Sequence, residues 1–184
     1  MRPGRGMKPL LMLMYPLNCD IRIITLIIYF ISYRLAMSNE LGNFRIISRR
    51  GSLFSAPKHH SLAHCISRDA KMGRGIAVQF RKRFGGRGEI LELDVGVGGV
   101  AVLRRGDRYI YNLVTKERAN GKPTYENIRR SLTAMKEHAL QHNVVNISMP
   151  RIACGLDEMQ WSRVKELLEF VFNKTNITLT VYHL

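Results

Sequence analysis

The feature that most constrains this chain is a regular exchange of two periods from residue 44 onward. Short β-branched runs alternate with stretches in which apolar residues recur every three or four positions. A chain that switches between periods of two and 3.6 has to pack strands and helices in layers. Phe44–Ser48, Ser61–Ile66, Val100–Leu103, Tyr109–Thr115, Val144–Met149 and Ile177–Tyr182 read as strands, with a hairpin-like turn at Gly106-Asp107. Gly75–Phe84, stopped by Gly85-Gly86, Tyr125–His142, started by Pro123-Thr124, and Trp161–Phe172 read as helices. In the last of these Trp161, Val164, Leu168, Val171 and Phe172 share a face expected to be core. Strands alternating with helices predict an α/β fold with a largely parallel sheet and some antiparallel pairing.

Charge is the one unusual term in the composition. Lys and Arg number 29 against 14 Asp and Glu, a net charge of +15, while 46% hydrophobic and 23% charged residues are ordinary for a globular domain. That surplus predicts attraction to polyanions and selects no fold. Residues 1–36 carry +4 of it and the remainder +11, so the folded part is itself basic. The N-terminal residues differ from the rest in holding two apolar patches, Leu10–Leu17 and Ile23–Tyr33, split by Pro16, Asn18, Asp20 and Arg22. Neither reaches the ~20 apolar residues a membrane-spanning helix needs. The preferred reading is a domain over residues 41–184 preceded by an extension over 1–40 outside the fold, with Met37 as the working start. A targeting or membrane segment in residues 1–36 is the alternative.

Cys19, Cys65 and Cys154 have no C-x-x-C spacing, so reduced thiols and a nuclear or cytoplasmic setting are expected. His59, His60 and His64 lie in or beside a strand with no acidic partner nearby, and no metal site is expected.

In a parallel sheet, ligands bind where the carboxyl ends of strands open into loops. Ser67 to Ile76 and Pro150 to Asp157 are two such loops, each bearing glycine and each leading to a helix. Loops of this kind present backbone N–H groups to a phosphate or form a plain tight turn. Neither matches a P-loop or G-x-G-x-x-G. Lys116 directly follows a strand, where an amine can attack a carbonyl or sugar carbon or stay a solvated charge. Asp157 is either a proton-transfer group or a helix N-cap.

Read together, SLAHCIS, KMGRGIAVQFRKRFGG, RYIYNLVTK, KPTYENI and PRIACGLDEMQW resemble the ALC-like branch of the macrodomain family, collinearly from Phe44 to Leu184. The resemblance implies a three-layer α/β/α macrodomain with a mixed, largely parallel sheet. It implies a hydrolase that removes ADP-ribose from glutamate and aspartate side chains of proteins and deacylates O-acyl-ADP-ribose, with no cofactor. The family's nucleophile falls on Lys116 and its catalytic aspartate on Asp157. Substrate contacts fall on Leu53, Ser67, Gly73, Gly75, Ile76, Arg151, Ile152, Ala153, Cys154, Gly155, Leu156 and Leu184. A monomer serving the nuclear DNA damage response is also implied.

Three positions depart from the family pattern. Ser52 stands where relatives carry an acidic adenine-binding residue, Ala153 replaces a loop glycine, and Arg74 replaces a small residue. They motivate a rival reading, a module that binds ADP-ribose without cleaving it. A third reading, poly(ADP-ribose) or nucleic acid held by the basic surface, is compatible with either.

Overall fold

The computed structural model describes residues 42–184, together with Ile27 and Tyr29, which are helical and exposed. The N-terminal extension over 1–40, the choice of Met37 and Cys19 lie outside the described residues. Six strands are formed, β1 (Arg45–Arg50), β2 (Ser61–Ser67), β3 (Val100–Arg105), β4 (Arg108–Lys116), β5 (Asn146–Pro150) and β6 (Thr178–His183). The helices are α1 (Gly75–Phe84), α2 (Arg87–Glu92), α3 (Tyr125–Gln141) and α4 (Trp161–Phe172), with a 3-10 turn at Leu53–Ser55. The strands make one sheet in the order β1-β6-β5-β2-β4-β3. All neighbours are parallel except β3 and β4, which pair antiparallel around the expected Gly106-Asp107 turn.

Period two sorts the sheet residues to its two faces. Ala63, Tyr111, Leu113, Ile147, Met149, Leu179 and Val181 point to one face, which α3 and α4 cover with Ile128, Leu132, Met135, Val164, Leu168 and Phe172. Leu62, Ile66, Leu103, Ile110 and Val114 point to the other, under Phe80 of α1, Ile90 of α2 and Leu53. The result is the expected three-layer α/β/α arrangement, and no neighbouring helix has to be long.

Local chemistry explains the boundaries. Thr124 caps α3, its hydroxyl oxygen accepting from the Asn127 amide at 3.1 Å. Strand β5 begins two residues later than its β-branched run because the Val144 amide still bonds the Ala139 carbonyl at 2.8 Å. Helix α2 has no counterpart in the sequence reading. Its six residues bury only Ile90, too few for a period to emerge. A tertiary contact supports it instead, the Arg105 guanidinium on Glu89 at 2.6 Å.

One polar pair crosses the α1 side of the sheet. His64 is fully buried, stacked on Phe80 with ring centroids 3.8 Å apart. The Asn112 side-chain amide donates to the Ala101 and Ile110 carbonyls, which leaves its oxygen facing His64 Nε2 at 2.8 Å. That orientation makes Nε2 the protonated nitrogen of a neutral ring. Burial lowers the His64 pKa to about 4. The folded ring thus takes up its second proton far later than the unfolded ring at 6.5, and stability is lost on acidification. The loss starts as pH falls below 6.5 and is complete below about 4, about 3 kcal/mol in all. Unfolding measured by denaturant across that window is expected to show this slope, and His64→Phe to remove it; parallel pH profiles for the two proteins would refute the assignment.

Candidate functional site

With five strands parallel, one edge of the sheet gathers their carboxyl ends, and the loops that follow β1, β2, β4, β5 and β6 meet there. Gly51–Leu53, Ile76 at the start of α1, Arg151, Cys154–Gly155 and Leu184 surround a cleft of about 800 Å³. This is within the size range of small-molecule sites. Leu53 is buried at its base, and the Ser52 hydroxyl oxygen accepts from the Phe54 amide at 3.3 Å, capping the 3-10 turn. Trp161, expected as core, is half-buried: it packs against the α3–α4 core and also lines this cleft. Tyr182 also lines it, and its buried hydroxyl has no hydrogen-bond partner among the described residues. Its place in an alternating terminal strand gave no sign of that role.

The two glycine-bearing loops touch. Gly75 opens α1 at φ +57, and a Cβ there would sit 3.4 Å from Leu156 Cδ1, so a larger residue would push against the opposite loop. Arg74 takes the N-cap position without a capping bond, and it and Gly73 are exposed outside the cleft. Ser67 does not face the cleft: its hydroxyl donates to Asp69. Desolvation alone would raise the Asp69 carboxyl, but that bond and those from the Ala119 and Lys71 amides hold it below its ordinary range. Ser67 therefore holds the loop in shape.

The segment after β5 is tightly specified. Ile152 and Ala153 are buried beneath it while Arg151, Gly155 and Leu156 are exposed. Ala153 sits at φ +57, and its carbonyl accepts from the Met159 amide at 2.9 Å. The glycine-to-alanine departure thus falls at a left-handed position, where a Cβ costs roughly 1–2 kcal/mol.

The loop carries Asp157 to Lys116. Lys116 is the last residue of β4, and its Nζ donates to Asp157 Oδ1 at 2.6 Å, with the two side chains 14% and 12% exposed. Asp157 is not an N-cap; Gln160 occupies that position on α4. Burial, and then the Asp157 carboxylate, push the Cys65 thiol up to about 12, and burial raises Cys154 as well. Neither cysteine is a thiolate at neutral pH. Neither Lys116 nor Asp157 lines the cleft; Lys116 lines a second cavity of about 720 Å³ with Arg118, Lys122 and Arg130, cations the sequence reading did not single out. Among the described residues no group of three His, Cys, Asp or Glu side chains is placed to hold a metal.

A three-layer domain with a cleft at the carboxyl edge of its sheet defines an α/β/α protein built to hold a ligand there. The chain belongs to the Macro domain family, whose model matches residues 63–168. It is 56% identical to the human ADP-ribose glycohydrolase OARD1 over 149 residues, covering 81% of this chain and 98% of that protein. The Bos taurus protein of the same name is 55% identical over 140 residues, 76% of this chain and 92% of the relative. Among solved structures, the macrodomain of Thermus aquaticus DarG superposes with a TM-score of 0.68 at 24% identity, covering 78% of this chain and 99% of that one. At that identity the likeness concerns the fold.

Ala153 yields a stability prediction. Replacing it by glycine deletes a buried methyl and adds unfolded-state freedom, together about 1.5 kcal/mol, but removes left-handed strain of similar size. Ala153→Gly is expected to change unfolding free energy by less than about 0.5 kcal/mol, while Ala63→Gly, in strand β2, costs about 1.5 kcal/mol. Equal losses at both positions in urea unfolding would show that Ala153 is unstrained.

Proposed function

We propose that this chain hydrolyses the ester between ADP-ribose and glutamate or aspartate side chains of proteins, and deacylates O-acyl-ADP-ribose. The observation that carries the reading is the Lys116–Asp157 pair at 2.6 Å, its carboxylate two residues along the loop from Gly155 of the cleft. The names of the human and bovine relatives, ADP-ribose glycohydrolases at 56% and 55% identity, support the substrate class. Leu53, Ile76, Arg151, Cys154, Gly155 and Leu184 would border the nucleotide, and Gly75 and Leu156 the approach to Lys116.

The chemistry follows from the pair. Proton transfer from Nζ to Oδ1 gives a free amine and a neutral carboxylic acid, a short transfer within an existing hydrogen bond. The amine attacks the anomeric carbon of the distal ribose; the carbon–oxygen bond breaks and its electron pair leaves on the carboxylate of the modified protein. Asp157 then yields its proton to solvent, and as a carboxylate it takes a proton from the water that attacks the same carbon. The carbon–nitrogen bond breaks with its electrons returning to Nζ, which recovers its proton from Asp157. The balance is one ester and one water consumed, ADP-ribose, a carboxylate and a proton released.

Ser52, Ala153 and Arg74 favour the rival reading of a binding module, and turnover separates the two. A monomer acting in the nucleus or cytoplasm, with a part in the DNA damage response, completes the proposal. Release of ADP-ribose from glutamate-modified protein is expected to fall by roughly 10³-fold or more in Lys116→Ala and in Asp157→Asn. Titration with ADP-ribose should show that both variants still bind, as folded proteins do. Unimpaired release by Lys116→Ala would exclude the lysine as nucleophile, and tight binding by the wild type without release would establish the binding module.

A further inference from the structure

The cavity that Lys116 lines has a composition that the cleft does not. Five cations line it, Arg68, Lys116, Arg118, Lys122 and Arg130, against one carboxylate, Glu117. Three of the five are already neutralised by neighbours. Lys116 is held by Asp157 at 2.6 Å, Lys122 by Glu158 at 2.7 Å, and Arg68 by Asp94 at 3.1 Å and Glu117 at 3.7 Å. Among the described residues Arg118 and Arg130 come within ion-pair distance of no carboxylate, and both are exposed. Two unpaired guanidinium groups therefore remain in a concavity whose floor includes the reacting amine.

Arg130 lies close over a glycine. It projects from α3 over the loop that leads to β3, and a Cβ at Gly98 would come within 2.9 Å of its guanidinium carbon. Gly98 is at φ +91, and its amide bonds the Val114 carbonyl of β4 at 2.8 Å, so the glycine fastens the loop under the guanidinium. Asn127, one turn earlier on α3, lines the same cavity. Lys122 reaches the other wall: besides Glu158 its Nζ donates to the Leu156 carbonyl at 3.3 Å, tying the cavity to the segment that carries Asp157.

We propose that this cavity is the leaving-group subsite, and that it takes a carboxylate-rich protein segment around the modified side chain, with Arg118 and Arg130 as specificity-determining residues. The proposal rests on the hydrolase reading, because that reading sets the anomeric carbon at Lys116. Lys116 lines this cavity and not the cleft bordered by Gly155, so a carbon bonded to its Nζ stands at the cavity, and the substituent that leaves it meets Arg118 and Arg130. When Nζ attacks, the electron pair of the broken bond moves onto a departing carboxylate, which gains a full negative charge in a basic cavity. An acidic segment is favoured over nucleic acid as occupant because the leaving atom is itself a carboxylate oxygen. The cavity also offers no aromatic platform among its lining residues on which bases would stack.

The test uses peptides with one ADP-ribosylated glutamate flanked by either aspartates or serines. The wild type is expected to favour the acidic peptide in kcat/KM by about tenfold, mainly through KM, with the preference shrinking as salt is raised. In Arg118→Gln/Arg130→Gln that ratio is expected to fall toward one, and Arg118→Lys/Arg130→Lys to restore much of it. A ratio unchanged in the double variant, with hydrolysis intact, overturns the subsite and leaves the hydrolase reading standing. Binding of the unmodified acidic peptide to the ADP-ribose-saturated protein, followed by fluorescence anisotropy, tests the cavity even where no turnover is seen. Its loss in Arg118→Gln/Arg130→Gln supports the subsite, and equal binding overturns it. Absence of hydrolysis in the wild type would count against the hydrolase reading alone. If a single-stranded oligonucleotide displaces the acidic peptide and its own binding needs both arginines, the acidic occupant is wrong.

Discussion

The structure of this site depends on a single ion pair. Lys116 and Asp157 stand 41 residues apart in sequence and meet at 2.6 Å with both side chains mostly shielded from water. Two charges taken out of solvent repay their desolvation only when geometry is good, and losing one strands the other. The geometry here comes from rigid parts. Lys116 ends the nine-residue strand β4, which has β2 on one side and β3 on the other. A register slip of one residue in that strand would turn the amine to the opposite face of the sheet. The core on both faces therefore fixes where the amine points.

Asp157 is supplied differently, by a loop that is irregular but heavily cross-braced. Ile152 anchors it in the core beneath α4, the Ala153 carbonyl holds the Met159 amide, and Lys122 grips both the Leu156 carbonyl and Glu158. Two of its residues, Ala153 and Glu158, sit at positive φ, conformations that non-glycine residues keep only when their surroundings impose them. Strain of this kind collects where side-chain placement matters more than local comfort. The carboxylate is thus delivered by a braced loop to a lysine delivered by a strand, and the two carriers are stabilised independently.

Much of the frame is legible in the sequence because it is written in short-range periods. Helices α1 and α4 have the bounds that their capping glycines and apolar stripes imply, and the antiparallel hairpin follows from Gly106-Asp107. What escaped is long-range. Helix α2 holds through Glu89 and Arg105, sixteen residues apart, and has almost no period of its own. Local pattern alone favours Asp157 as an N-cap and only the resemblance makes it a reactive carboxylate; its contact with Lys116 comes from a loop that folds back on β4. Ser67 and Trp161 exchange their expected places for the same reason. The serine turns to Asp69 and leaves the cleft, while the tryptophan lines it. The sequence resemblance marked positions for ligand contact; it carried no information about side-chain direction.

The basic surplus now has a physical address. A net charge of +15 spread evenly would raise encounter rates with any polyanion and discriminate poorly among them. Of the cations that share a cavity with Lys116, Arg68 and Lys122 are spent on structure, each holding a carboxylate of a neighbouring loop. Charges used in this way add little to the field a ligand meets, because their partners cancel it at short range. The unpaired Arg118 and Arg130 are therefore worth more to recognition than their share of the total. Adding lysines elsewhere on the surface would raise attraction without sharpening it, since discrimination needs a fixed donor at a fixed distance from the reacting carbon. Arg118 and Arg130, in the cavity that Lys116 lines, are placed to act as such donors, and net charge alone is not.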